Sequence, residues 1–337
     1  SEFAAAAAEM TPSSTPKLKK TSQFSIMGHS KPRYDIPSKV DGTAMFAMDV
    51  KRPGMVYAAV KRTPVAGGTL RRVDDSAARA MKGVIDVVKV GPSSAAGLVG
   101  SYSAGDTIAV VADSYWRAEK ALAALKLEWN TEGKERVSSE SIFEQFDRDI
   151  TAGVDRANDV ALGDATTAFD SAATVLTADY RVPYLAHTCM EPPNATAEVF
   201  ADRAEIWVGC QNPLGFRQHL AANLGLDVQQ VTLHNYFMGG GFGRKSNADY
   251  ALQAAMIARQ VGRPVQMVYS RAEDIKQDFY RPAVQSRFKA GLDADGKLVA
   301  WQNTYVDKHE PVEAPLIPYA VAAQDIGHVA SPTHVPF

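Results

Sequence analysis

Met238-Gly239-Gly240-Gly241-Phe242-Gly243-Arg244-Lys245 is the stretch on which the reading of this chain turns. Four glycines in five positions, followed by two cations, describe a backbone that approaches something anionic closely. Glycine reaches positive φ and carries no Cβ to hold a ligand away. Successive N–H groups in such a loop form an anion-binding concavity. The run Val231–Phe237 before it reads as a strand and Ser246–Val261 after it as a helix. A glycine-rich strand-to-helix turn is a recurrent place for phosphate or a cofactor. The spacing excludes the common nucleotide loops. A P-loop needs four free positions between its glycines, and a dinucleotide fingerprint needs G-x-G-x-x-G with an acidic residue about 20 positions on. Gly239 to Gly243 reads G-x-G-x-G, and the expected helix is still running where the acid should stand. An ordinary turn uses one or two glycines, so spacing alone leaves a loose phosphate nest or a cofactor loop.

The chain has 337 residues, room for two or more domains. Its 46% hydrophobic and 22% charged content is that of a water-soluble globular protein, and a net charge of −2 gives no footprint for nucleic acid. Cys189 and Cys210 cannot supply the four thiolates of an iron–sulfur cluster and read as buried free thiols. No apolar run reaches the ~20 residues of a membrane span. Ser1-Glu2-Phe3 followed by five alanines reads as the middle of a helix, and His334–Phe337 stops without a terminal element, so a middle piece of a longer subunit is expected.

Residues 1–35, with their prolines, hydroxyls and lysines, read as a linker or the end of a preceding segment. Residues 36–131 read as a first domain, with strands at Thr43–Asp49, Met55–Lys61, Val84–Val90, Thr107–Ala112 and Leu127–Trp129. Its helices are expected at Asp74–Lys82 and, capped by Asp113-Ser114, at Tyr115–Leu125. Residues 132–172 are polar and weakly patterned, and read as a connecting segment wrapping the surface. Residues 173–337 read as a second domain. Val175–Val182, Ala195–Phe200 and Glu205–Gly209 would form a meander, Gly215–Leu224 a helix, and Val265–Tyr269 a strand. Ala283–Leu292 and Lys297–Val306 would form a hairpin around Asp293–Gly296. The fold class is α+β.

Two further clusters carry candidate chemistry. His187, Cys189 and Glu191 alternate and would share one face of a strand, as metal ligands or as a packed strand with a buried, hydrogen-bonded glutamate. Gln211 stands at a strand end before Asn212-Pro213, where Asn212 can cap a helix for about 1 kcal/mol and Gln211 can turn its amide into a cleft. The charges Arg271–Asp274 and Asp278–Arg281 read as a solvated helix face or local pairs.

Taken together, Gln211-Asn212-Pro213, Gly225-Leu226, Val231, Met238–Lys245, Arg263-Pro264-Val265 and Arg271–Asp274 resemble the molybdenum-binding subunit of the xanthine dehydrogenase and aldehyde oxidoreductase family. Asp35–Trp129, opening with Lys39-Val40-Asp41-Gly42, resembles that family's hammerhead domain, followed by its first molybdopterin-binding α+β domain, incomplete here. Tyr184–His187, Met190–Pro192, Asn194–Thr196, Arg244 and Asp278–Pro282 are most similar to the isoquinoline 1-oxidoreductase beta subunit branch, which includes membrane-associated aldehyde dehydrogenases. The resemblance implies a molybdenum hydroxylase using molybdopterin cytosine dinucleotide, with cofactor contacts from Gln211, Gly239, Gly240, Gly241, Phe242, Gly243 and Arg244. Gln211 and Phe242 would lie near molybdenum without being side-chain ligands. Glu191 and Ser246 would face the substrate; Ser246 stands where purine-oxidising relatives carry a glutamate, which favours an aldehyde or N-heteroaromatic compound. The family's base glutamate is expected beyond Phe337, so no catalytic residue is assigned in this chain. Implied partners are the remaining segments of the same subunit, a small iron–sulfur subunit carrying the clusters, and a cytochrome c subunit, in the periplasm or at the inner membrane, with the cytoplasm as the alternative. A non-catalytic assembly module of the same fold is the competing reading, and a transferase using the loop as a phosphate nest a third.

Overall fold

A computed structural model describes the chain apart from residues 1, 2, 66, 92, 97–100, 105, 134–136, 154, 307–316, 332, 334, 336 and 337. Ser1–Ala44 and Met45–Phe337 are separate compact units. In the first, α1 (Ala4–Ala8) and α2 (Ile36–Val40) are short helices that bury no residue. Alanine favours helix, but one or two turns without packing are marginal.

The second unit runs β1 (Val56–Arg62), β2 (Thr69–Asp74), α3 (Ser76–Arg79), β3 (Val84–Val90), β4 (Ser93–Ala96), β5 (Ser101–Ala104), β6 (Thr107–Ala112), α4 (Tyr115–Ala123) and β7 (Lys126–Asn130). It continues with α5 (Ser139–Ala152), β8 (Ala157–Leu162), α6 (Ala165–Asp170), β9 (Thr174–Val182), β10 (Asn194–Val199), β11 (Ala204–Val208), α7 (Pro213–Leu224) and β12 (Val231–Asn235). Last come α8 (Asp249–Val261), β13 (Val265–Val268), α9 (Arg271–Lys276), β14 (Val284–Leu292), β15 (Leu298–Val306) and β16 (Ala323–Val329). Helices and mixed parallel and antiparallel sheets make the chain a mixed α/β protein.

A seven-stranded sheet has the order β12-β11-β10-β13-β1-β6-β3. The parallel pairing of Val56–Ala59 with Val265–Val268 joins strands from residues 36–131 to strands from 173–337. β6 shows why the sheet lies at the centre. All six of its residues are buried, and because strand side chains alternate between faces, Ile108, Val110 and Ala112 meet Ala118, Ala121 and Leu122 of α4. Ala109 and Val111 point the other way, into the core around α8. α8 is itself buried nearly all round, because α7 packs on it as well. Alanines 251, 254, 255 and 258 let it approach the sheet, and Leu252 and Ile257, fully buried, each contribute about 1.5–3 kcal/mol of apolar transfer.

The second sheet has the order β8-β16-β15-β14-β9. It corrects two expectations. Residues 132–172 do not merely wrap the surface, since they supply α5, β8 and α6. Ile142, Phe146 and Ile150 pack on Ala283, Val306 and Val329, and Phe169 packs on Ala300 and Ala323. The i, i+4 apolar stripe is there in the sequence, diluted by Glu140, Glu144, Asp147 and Arg148 on the outer face. β9 pairs with β14 rather than with β10, so the meander is confined to β10 and β11. The hairpin β14–β15 closes through the Asp293–Gly296 turn as its sequence indicates. Thr43–Asp49 is not a strand: Phe46 makes one bridge to Phe237, and the Asp49 carboxylate accepts the Phe46 N–H and bends Ala47–Asp49 into a short 3-10 turn.

Candidate functional site

The glycine loop leaves β12 and ends in a 3-10 turn at Arg244–Ser246, so α8 begins at Asp249 rather than at Ser246. Gly240, Phe242 and Gly243 have φ of +101°, +53° and +105°. Glycine takes such values freely, whereas Phe242 sits there at a cost of about 1–2 kcal/mol. Most of the glycines are required by the protein behind the loop. A Cβ on Gly239 would come 2.5 Å from the Glu191 Cβ, and one on Gly241 2.6 Å from Gln211 Oε1. A Cβ on Gly240 would stand 3.0 Å from the Phe242 ring and 3.4 Å from the Cys189 Cβ. The loop therefore lies flat on Cys189, Glu191 and Gln211, with its other face outward. Among the described residues, the N–H groups of Gly240, Gly241 and Phe242 have no hydrogen-bond partner, and the Phe242 ring is 62% exposed. Gly241 is buried, Gly240 half-buried and Phe242 exposed, and three consecutive unpaired main-chain donors in such a loop suit a polar, electron-rich group.

The two cations do not face that surface. Lys245 turns inward to Glu191, 2.8 Å away, and both are buried. Glu191 also accepts the N–H of Gly239 (2.9 Å) and of Met48 (3.3 Å), and returns its own N–H to the Gly239 carbonyl (2.9 Å). Burial alone would raise the Glu191 pKa. The bonds from Lys245 and Gly239 and the Lys245 charge overcome this and hold the group below the usual glutamate value. The segment Leu185–Glu191 is irregular rather than a strand, and among the described residues no cluster of His, Cys, Asp or Glu could hold a metal ion. Cys189 and Cys210 are free and buried; burial raises both thiols, Cys210 to about 12.

Arg244 is 1% exposed and holds Asp249 through two bonds of 2.8 and 3.0 Å. Its Nε lies 3.0 Å from Asp278 Oδ1, close enough for ion pairing, although the angle does not make a hydrogen bond. Burial opposes its charge, and Asp249 and Asp278 more than restore it. Asp278 in turn accepts the main-chain N–H of His187 and lies 3.0–3.1 Å from its Nδ1. Burial would raise Asp278, but His187 and Arg244 pull it below the usual aspartate value. The charges after β13 are thus not a solvated face. Glu273, Asp274 and Asp278 are buried, and burial raises the first two. Arg271 reaches Asp274 and the Cys189 and Met190 carbonyls, and Arg281 donates to the Phe242 carbonyl at 3.0 Å.

Gln211 is exposed, and its Oε1 accepts the Gly243 N–H at 3.0 Å, which fixes the amide beside the loop. Its own N–H is held by the Lys245 carbonyl at 2.9 Å, and Asn212 caps α7 through the Gly215 N–H at 3.1 Å. Ser246 does not join this group directly; it lines a separate cavity of about 370 Å³ with Asn212, Phe216, Gln218 and His219. The structure thus brings Gln211 and Gly239–Gly243 together and turns Arg244 and Glu191 into their supports. Sequence reasoning missed Lys245, Asp249, Asp278, His187 and Arg281 in that role, because their partners lie up to 91 residues apart and carry no spacing signal.

The fold matches that of the aldehyde oxidoreductase from Desulfovibrio gigas, with a TM-score of 0.69 at 23% identity over 91% of this chain and 38% of that chain. The molybdopterin cofactor-binding domain family matches residues 147–326, more than half of the sequence, and the chain belongs to this family of the xanthine dehydrogenase and aldehyde oxidoreductase type. It is 32% identical over 297 residues to the isoquinoline 1-oxidoreductase subunit beta of Brevundimonas diminuta, covering 85% of this chain and 36% of that protein. It is 32% identical over 290 residues to a membrane-bound aldehyde dehydrogenase (pyrroloquinoline-quinone) of Gluconacetobacter polyoxogenes, covering 84% of this chain and 36% of that protein. The chain therefore spans about 36% of the length of these relatives. Among the described residues no helix is long and apolar enough to cross a membrane.

Proposed function

We propose that this chain is the part of a molybdenum hydroxylase large subunit that lays Gln211 and the loop Gly239–Gly243 against molybdopterin cytosine dinucleotide, in an enzyme oxidising an aldehyde or an N-heteroaromatic compound. The observation that carries the reading is the outer face of the loop. Gly240, Gly241 and Phe242 offer main-chain N–H groups without partners among the described residues, and Gln211 holds its amide beside them through Gly243. When bound, the cofactor supplies the two-electron oxidation. The chain's own residues position it: Gln211 donates from its amide, the loop N–H groups take electron-rich atoms, and the Phe242 ring walls one side. Arg244, Lys245 and Glu191 act indirectly by holding the loop. Residues 36–131 would serve as the hammerhead domain and 173–337 as the first cofactor domain, with the acid–base glutamate supplied from outside residues 1–337. Electrons would leave through an iron–sulfur partner subunit and a cytochrome c, at the inner membrane or in the periplasm.

Metal and nucleotide analysis of the intact complex tests this reading. Molybdenum with a cytosine pterin nucleotide is expected, and pyrroloquinoline quinone alone, or no cofactor, would sink it. Gln211→Ala should slow turnover in the intact complex roughly ten- to a hundredfold, since one oriented hydrogen bond to such a group is worth about 1–3 kcal/mol. A rate unchanged by Gln211→Ala in an active complex would remove the amide from the site; a complex that assembles but never turns over would support the non-catalytic reading.

A further inference from the structure

His187 is the imidazole nearest the glycine loop, and its two nitrogens are treated differently. Nδ1 lies 3.0 and 3.1 Å from the Asp278 carboxylate oxygens, which also receive the His187 main-chain N–H. A carboxylate at Nδ1 calls for a proton there, and in the neutral ring Nε2 then carries the lone pair. Nε2 has no hydrogen-bond partner among the described residues and, unlike the buried unpartnered atoms of the chain, is reached by solvent. It points to the open side of Gly243, 3.4 Å from where that residue's Cβ would stand. Gly243 is the same residue whose N–H is held by Gln211.

The backbone is arranged to aim this ring. Leu185 and Arg281 exchange both main-chain hydrogen bonds, at 3.2 and 2.9 Å. Three residues after Leu185, Thr188 takes φ +44°, a value costly for a β-branched residue. That turn sends His187 toward Gly243 and Cys189 beneath Gly241, whose carbonyl the Cys189 thiol reaches at 3.4 Å. Nε2 is thus an open acceptor position beside the Gly243 end of the loop, with the ring fixed from behind by Asp278.

We infer that His187 contacts the ligand on the glycine loop, its Nε2 accepting a hydrogen bond from a hydroxyl, amide N–H or protonated ring nitrogen. The inference rests on the loop being the binding surface proposed above. Two sources can carry such a donor, the pterin cofactor and an organic substrate that bears a hydroxyl. Three variants of the intact complex separate them: His187→Phe, His187→Asn, which keeps a donor for Asp278 and removes the Nε2 position, and His187→Gln, which restores a polar group at that reach. Pterin nucleotide and molybdenum retained after dialysis are measured beside KM and kcat for 4-hydroxybenzaldehyde, which carries a hydroxyl donor, and for benzaldehyde, which carries none. If the donor is the substrate's, Phe and Asn should raise KM for 4-hydroxybenzaldehyde about tenfold and leave KM for benzaldehyde nearly unmoved, at wild-type cofactor retention, with Gln in between. If it is the cofactor's, Phe and Asn should retain several-fold less cofactor, with Gln again in between. An Asn variant matching wild type in both readouts would overturn the inference and reduce His187 to an anchor for Asp278. A wild-type complex without molybdenum would sink the functional reading instead, which keeps the two failures distinct.

Discussion

Arg244 and Arg287 each bind two aspartates, and the contrast between them shows where a charge matters. Arg287 on β14 spans Asp147 and Asp179 at 2.7 and 2.9 Å, with all three side chains between 34% and 45% exposed. Arg244 at the end of the glycine loop holds Asp249 and Asp278 with side chains no more than 1% exposed. The distances are similar and the surroundings are not. Around Arg287 water screens the charges and competes for every bond. Around Arg244 a lost partner leaves two buried aspartates held, among the described residues, only by Arg62 and His187. One cluster decorates a sheet; the other sets the position of a loop.

Arg244→Ala should cost about 3–5 kcal/mol in equilibrium denaturation of the intact protein, against roughly 0–1 kcal/mol for Arg287→Ala. About 1 M salt should erase the Arg287 effect and leave the Arg244 effect nearly intact. Equal costs would mean that the Arg244 cluster relaxes around the gap. The glycines sharpen the same contrast. Gly239→Ala drives a Cβ to 2.5 Å from the Glu191 Cβ and 3.2 Å from its backbone nitrogen, where neither neighbour is a flexible tip. It should cost about 1–3 kcal/mol. Gly296→Ala, in the hairpin turn at φ +77° with nothing within 4 Å, should cost about 1 kcal/mol for the backbone alone. Thermal melts of the two variants decide the order.

Acid gives the smallest and most selective effect. Glu191 and Asp278 have folded pKa values below their unfolded ones, so each contributes stability that is complete above the unfolded value, near 4, and disappears as pH falls through the folded value. Glu273 and Asp274 are raised and act oppositely, losing stability as pH climbs through their folded values. Urea midpoints measured between pH 5 and pH 3 should fall less steeply in Glu191→Gln than in the unaltered chain. An unchanged slope would mean that the Lys245 pair contributes nothing to the acid limb.

The element pattern was largely legible. β3, β6 and the hairpin of β14 and β15 follow from β-branched runs and the Asp293–Gly296 turn, and Ser114, Asn212 and Gly225 stop and start their helices as their types suggest. α5 was not legible, because its stripe of Ile142, Phe146 and Ile150 is only three residues wide in an acidic segment. The placing of β9 was not either, since an alternating strand does not name its neighbour.

The loop's composition determined, by itself, that a backbone would make a tight approach between Phe237 and Arg244, and its pairing with Gln211 pointed to the family. Which side of the loop needed the glycines, and where its charges went, only the tertiary structure decided. Glycine records the absence of a Cβ but not what occupies that space, and a charged side chain near a ligand-binding backbone can point either way. Residues 187–191, 211, 249 and 278–281 settle both points by packing behind the loop. That packing uses the side chains behind the loop and leaves the N–H groups of Gly240, Gly241 and Phe242 without partners among the described residues.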